Sequence, residues 1–87
     1  MSMEEFVMDY PWAADIPKSK ILMNLVQYLT EPRTVEEIHK QFPKLSEDDV
    51  AYALYVLKKL GVVDGDGEKV YLSELGAQFL KEYEETF

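Results

Sequence analysis

Cysteine is absent from all 87 residues of the chain. This absence excludes disulfide bonds, thiolate metal ligands and cysteine nucleophiles, and it fits a protein of a reducing compartment. Histidine is nearly as scarce, because His39 is the only one. With no cysteine or second histidine to complete a zinc site, we expect no bound metal and no other cofactor.

Long apolar runs are also missing. No stretch approaches the roughly 20 residues that a membrane-spanning helix needs, and the first ten residues carry acids where a secretory signal carries bases. We therefore expect a cytoplasmic protein with no membrane partner. The chain is short enough to hold one core only, and its hydrophobic content of 47% is sufficient to build that core.

Basic residues are few, with 9 Lys and Arg against 17 Asp and Glu, for a formal net charge of -8. Such a surface repels nucleic acid at long range, so binding to DNA would need a concentrated basic patch. The acidic groups at 47–49 and 64–68 fit a helix start and a turn, and the second group lacks the spaced ligands and the terminal glutamate of a calcium-binding EF-hand loop. No glycine-rich phosphate loop or substrate pocket is indicated, so we expect no catalytic residues and no enzyme activity.

Apolar spacing and capping residues predict four helices. The first covers 18–30 and the second begins at the N-cap Thr34, with Glu37 completing a capping box and Pro43 ending the helix. The third begins at Ser46 and stops before Gly61, and the last begins after Ser73. The residues expected to face the core are Ile21, Leu22, Leu25, Val26 and Leu29 in the first helix, Val35, Ile38 and Phe42 in the second, Val50, Ala53, Leu54, Leu57 and Leu60 in the third, and Leu75, Phe79, Leu80 and Tyr83 in the last.

Two short β-prone segments lie between the third and last helices. Residues 62–64 and 69–72 have the valine-containing composition of short strands, and the glycine-rich and acidic stretch between them has the composition of a hairpin turn. The sequence therefore predicts a β-hairpin at this point.

The first 17 residues are an apolar N-terminal arm interrupted by prolines. Its large side chains would be costly to leave in water, so the arm either packs back on its own domain or forms a contact between subunits. For the second alternative, the residues expected at a dimer contact are Phe6, Trp12, Phe79 and Tyr83.

Two segments resemble known regulator families. Residues 45–63 have the sequence LSEDDVAYALYVLKKLGVV. This segment is similar in spacing to the recognition-helix segment of ArsR-type regulators. YLSELGAQFL, residues 71–80, resembles the junction between the wing strand and last helix of MarR-type and PadR-type regulators. The resemblance implies a mainly α fold with a small β-hairpin (α+β), namely a winged helix-turn-helix with a three-helix core, a wing and a C-terminal helix, over residues 18–87. It also implies a homodimeric transcription regulator whose third helix reads double-stranded DNA.

The positions that match the DNA-reading surface carry unusual side chains. Lys44 and Lys69 are placed as phosphate partners, whereas Glu47, Asp48, Ala51, Tyr52 and Tyr55 occupy the positions where relatives offer polar or basic groups. Carboxylates and tyrosine hydroxyls can contact bases, and a dimer could form a separate basic stripe. The members of that stripe would be Lys18, Lys20, Arg33, Lys40 and Lys44.

A different interpretation starts from the two tyrosines of the third helix. Tyr52 and Tyr55 lie about one turn apart, opposite the core side of that helix, and either form a protein interface or are covered by the wing or the arm. The sequence thus leaves two hypotheses. The first, which rests on the family resemblance, is a dimeric DNA-binding regulator. The alternative is an acidic winged-helix module that binds a protein through the tyrosine face.

Overall fold

The computed structural model describes residues 2–86, which form a mainly helical chain with a small antiparallel sheet. Two short 3-10 helices, Pro11–Ala14 and Ile16–Lys18, follow the first α-helix. The remaining elements, in chain order, are α1 (Met3–Asp9), α2 (Lys20–Tyr28), β1 (Arg33–Thr34), α3 (Val35–Gln41), α4 (Glu47–Lys59), β2 (Val63–Gly65), β3 (Lys69–Leu72) and α5 (Glu74–Thr86).

Side-chain caps fix where the helices begin. The α3 and α4 helices each start with a reciprocal capping box, Thr34 with Glu37 and Ser46 with Asp49. The Ser73 hydroxyl accepts a hydrogen bond from the backbone N–H of Gly76 at 3.0 Å and so caps α5. These local starts confirm the predictions made from the sequence, because a cap depends on residues only three positions apart.

The sheet has three strands in the order β1-β3-β2, all antiparallel. The hairpin of β2 and β3 agrees with the sequence prediction, with Val63 opposite Leu72. The third strand was not predicted: Arg33 pairs with Val70 in the stretch that leads into α3. A two-residue strand has no apolar alternation of its own, so only its pairing partner reveals it.

The N-terminal segment packs on its own chain. Met3, Phe6, Ala13 and Ile16 belong to the same buried core as the rest of the molecule. The Phe6 ring centroid lies 6.1 Å from that of Trp12 and 6.1 Å from that of Phe79. Of the two alternatives for this segment, packing within the chain is the one observed.

This packing corrects part of the expected dimer contact. Phe6 and Phe79 are fully buried and leave no surface for a second chain, whereas Trp12 and Tyr83 keep partly exposed side chains at the edge of the same aromatic cluster. The Phe79 and Tyr83 rings stack at 6.3 Å, one helical turn apart on α5. The four aromatic residues therefore meet each other in one chain.

Two residues assigned to the core from periodicity are exposed, and within the predicted helices one buried hydrophobic residue was missed. Ile21 and Val35 both lie in the first turn of a helix with exposed side chains, and Met23 is buried in α2 instead. Periodicity identifies the apolar side of a helix, but it cannot tell which positions on that side another element covers. None of the helices within residues 2–86 combines the length and apolar character needed to cross a membrane.

Candidate functional site

The exposed side of α4 brings most of the candidate residues together. Val50, Ala53 and Leu57 point into the core and hold the helix against the domain. The opposite side carries a continuous stripe at helical spacing, which we call the α4 face. It consists of Glu47, Asp48, Ala51, Tyr52, Tyr55, Lys58 and Lys59, and all seven residues are exposed.

The two tyrosines are the most unusual members of the α4 face. Tyr52 is 70% exposed and Tyr55 is 58% exposed. Neither the hairpin nor the N-terminal segment covers these rings, so the alternative in which they are shielded is wrong. The Lys59 ammonium nitrogen lies 5.7 Å from the Tyr55 ring centroid, one turn further along the helix. Two large rings in solvent make this surface suitable for a partner.

A shallow apolar cleft adjoins the α4 face. It has a volume of about 170 Å³ and lies between α4 and the hairpin. Leu54, Val63 and Val70 form its apolar wall, and Tyr55 and Lys58 stand at its edge. Leu54 was assigned to the core from periodicity and the two valines to strands, so the sequence pattern gave no indication that they line a cleft.

The lysines placed as phosphate partners are exposed but lie on other elements. Lys44 precedes the N-cap of α4 and Lys69 begins β3. Lys58 and Lys59, which the sequence analysis did not include in the site, lie on the α4 face itself. Their position follows from helical spacing, since they lie three and four residues after Tyr55.

The separate basic stripe is partly neutralised within the chain. Three of its five members contact carboxylates: Lys18 with Asp15 at 3.6 Å, Arg33 with Glu31 at 3.5 Å, and Lys40 with Glu36 at 3.6 Å. Because of these ion pairs, the stripe attracts an external anion less strongly than its number of Lys and Arg residues suggests.

The hairpin tip presents acids, and one of them is fixed in place. The Asp66 Oδ1 atom accepts hydrogen bonds from the backbone N–H groups of Lys69 at 2.8 Å and Glu68 at 2.9 Å. These bonds, that of Lys69 first, hold the pKa of Asp66 below its ordinary value. Asp66 therefore stays ionised at neutral pH, next to a turn whose Gly67 has a φ of 91°.

A larger cleft lies on a different side of the molecule. Its volume is about 520 Å³, and α5 supplies most of its lining, including Leu80 and Lys81, with Thr30 and Leu72 completing it. No group of three or more metal-ligating side chains occurs within residues 2–86.

Most of the candidate residues predicted from the sequence thus lie together on the α4 face.

Comparison with known proteins gives no relative for this chain. No protein-family model, no curated protein and no solved structure matches it significantly.

Proposed function

We propose that this chain is a winged-helix domain. The order of its elements supports the proposal, because α2, β1, α3, α4 and the β2–β3 hairpin follow one another as helix, strand, helix, helix and two wing strands. The short strand β1, pairing with β3, adds the third strand of such a wing sheet. In this arrangement α4 is the recognition helix.

The proposed function is binding of a protein through the α4 face. The observation that carries this proposal is the exposure of Tyr52 and Tyr55 in the middle of the recognition helix. Tyrosine supplies a large contact area and a hydroxyl group at a low entropic cost, and it is enriched at the energetic centres of protein interfaces. The apolar cleft beside Tyr55 provides a second contact surface at the same place.

The charges of the recognition helix and wing disfavour DNA as the principal partner. The first turn of α4 carries Glu47, Asp48 and Asp49, and the hairpin carries Asp64, Asp66 and Glu68. A like-charge contact with a phosphate costs on the order of 1 kcal/mol in water. Several such contacts would offset much of the roughly 5 to 8 kcal/mol that non-specific DNA binding supplies.

The test is affinity capture with a variant of the α4 face. We expect Tyr52→Ala/Tyr55→Ala to keep the wild-type helical circular dichroism, since both side chains are exposed, and to lose a protein that the wild type retains from a lysate of the source organism. The matched control is Met8→Ala/Val35→Ala, which removes two exposed apolar side chains from other helices. Equal capture by the wild type and the tyrosine variant would overturn the proposal.

A dimeric DNA-binding regulator is the second candidate. It is favoured by the element order and by Lys44, Lys58, Lys59 and Lys69, which are exposed and form no ion pair among residues 2–86. Titration of labelled duplex DNA at about 50 mM salt distinguishes the two functions, because counterion release makes even weak phosphate contacts visible there. Binding that falls steeply with salt and is lost in Lys58→Ala/Lys59→Ala would establish the DNA function instead.

A further inference from the structure

The α4 face is ordered by charge along the helix. Its N-terminal end carries the carboxylates of Glu47 and Asp48, and its C-terminal end carries the ammonium groups of Lys58 and Lys59. The two tyrosines lie between these ends, at equal distances from the acidic and basic pairs to within one residue. A rotation by half a turn about an axis through the tyrosine pair therefore exchanges acids for bases.

We infer that the partner of the α4 face is a second copy of this chain, with the two α4 helices packed antiparallel about a two-fold axis. This inference rests on the proposed function, since it names the partner for the same face. In a two-fold interface residue i of one copy contacts residue j of the other and the reverse contact also forms. The acidic end of each α4 helix then meets the basic end of its partner, and the four tyrosine rings meet at the axis.

The charged groups are free to make these contacts. None of Glu47, Asp48, Lys58 and Lys59 forms an ion pair within residues 2–86, although Lys59 also lies near the Tyr55 ring. The acidic pair and the basic pair are about 16 Å apart along the helix axis, from the rise of 1.5 Å per residue. The acidic and basic pairs of a second, antiparallel α4 helix have the same separation. Both acidic pairs can therefore contact the basic pair of the other copy at the same time.

The helix dipole alone does not account for the arrangement. It favours acids in the first turn and bases in the last turn of any helix, so the charges taken by themselves would need no partner. The dipole gives no reason for exposing two tyrosine rings between those ends, or for the apolar cleft beside them. A second copy accounts for the charges, the rings and the cleft together, because the cleft offers apolar contact area to a ring from the partner.

The first test measures association by sedimentation at physiological ionic strength, where the repulsion between two copies of net charge -8 is largely screened. We expect the wild type to dimerise and Tyr52→Ala/Tyr55→Ala to raise the dissociation constant by about tenfold or more. Glu47→Lys/Asp48→Lys and Lys58→Glu/Lys59→Glu should each be monomeric alone, and an equimolar mixture of the two should form a heterodimer. Lys20→Glu/Lys40→Glu, which changes the net charge by the same amount as Lys58→Glu/Lys59→Glu but lies away from the α4 face, should dimerise like the wild type.

The second test establishes the orientation of the helices. Because the chain contains no cysteine, two introduced cysteines report one contact without background. We expect mild oxidation to link Asp48→Cys protein to Lys59→Cys protein and to leave each variant alone unlinked. A disulfide formed by Asp48→Cys protein alone would mean parallel helices and would overturn the inference.

The outcomes separate this inference from the proposed function. A wild type that stays monomeric up to millimolar concentration, or a dimer unaffected by the tyrosine variant, overturns the second copy as partner. If the tyrosine variant nevertheless loses a captured protein, binding through the α4 face stands with a different partner. If it loses neither a captured protein nor its dimer, both the proposed function and this inference are wrong.

Discussion

The backbone of Gly76 lies directly against the carbonyl group of Val62. A Cβ atom on Gly76 would overlap the Val62 carbonyl oxygen, and that same oxygen accepts a hydrogen bond from the backbone N–H of Ser73 at 3.0 Å. The first turn of α5 is therefore packed against the residue just before β2 with no space for a side chain. This contact sets the position of the closing helix relative to the hairpin.

We predict that Gly76→Ala destabilises the protein by about 1 to 3 kcal/mol, the usual cost of overpacking. The loss should appear despite the higher helix propensity of alanine, because the close approach to Val62 outweighs it. Urea denaturation followed by circular dichroism measures the change. Ala77→Ser, at the next and exposed position of the same helix, should change stability by less than about 0.5 kcal/mol. Stability of Gly76→Ala equal to or above that of the wild type would show that α5 does not approach Val62 this closely.

The aromatic cluster around Phe6 gives a second prediction. Phe6→Ala removes a fully buried ring that contacts Trp12 and Phe79, so it should lower the free energy of unfolding by about 3 to 5 kcal/mol. Met8, on the same helix, is 82% exposed, and Met8→Ala should have almost no effect. Thermal and urea unfolding of the two variants check the comparison. Equal stabilities would mean that the N-terminal segment is not part of the core.

Local signals in the sequence predicted most of the helix starts and the hairpin. Thr34 with Glu37 and Ser46 with Asp49 each determine a cap through residues three positions apart, and the structure has both capping boxes. The strand at Arg33 and the burial of Met23 could not be predicted in this way. Both depend on elements distant in sequence, namely β3 for the strand and the surrounding core for the methionine.

The candidate site was also predicted only in part, because some of its features depend on elements that are distant in sequence. Helical spacing correctly placed Tyr52 and Tyr55 on the side of α4 away from the core, but spacing could not tell whether another element covers them. Lys58 was not among the predicted site residues, although it borders the cleft between α4 and the hairpin. That cleft exists because β2 folds back along α4, which is a tertiary feature with no periodic signal.

Arg33 gives a third prediction, because three contacts hold its side chain. Its Nε–H donates to the Tyr28 carbonyl oxygen at 3.3 Å, its guanidinium carbon lies 4.3 Å from the Tyr28 ring centroid, and it pairs with Glu31. We expect Arg33→Lys to lower the free energy of unfolding by about 1 kcal/mol, since lysine keeps the charge but cannot stack a planar group on the ring. Denaturant unfolding should show a smaller loss of stability, below about 0.5 kcal/mol, for Lys40→Ala, which removes an exposed ion pair with Glu36. A free energy of unfolding for Arg33→Lys equal to that of the wild type would mean that the stacking on Tyr28 does not stabilise the fold.

The hairpin tip should respond to acid through Asp66. Its pKa lies below the ordinary value of 3.8, because the backbone N–H groups of Lys69 and Glu68 stabilise the ionised form. A carboxyl group whose pKa is lowered by folding stabilises the folded state fully above pH 3.8, and this contribution is lost as the pH falls through the lower folded value. The stability difference between the wild type and Asp66→Ala should therefore be constant near neutral pH and shrink in that acidic range.

Proton titration of the Asp66 side chain by NMR, together with urea unfolding at several pH values, measures both quantities. Asp64→Ala is the matched control, because Asp64 lies on the same hairpin but accepts no hydrogen bond from the turn among the described residues. We expect the control to perturb the turn amides less than Asp66→Ala does at neutral pH. A titration midpoint for Asp66 at or above 3.8 would contradict the prediction, because two backbone hydrogen bonds to the carboxylate must favour its ionised form.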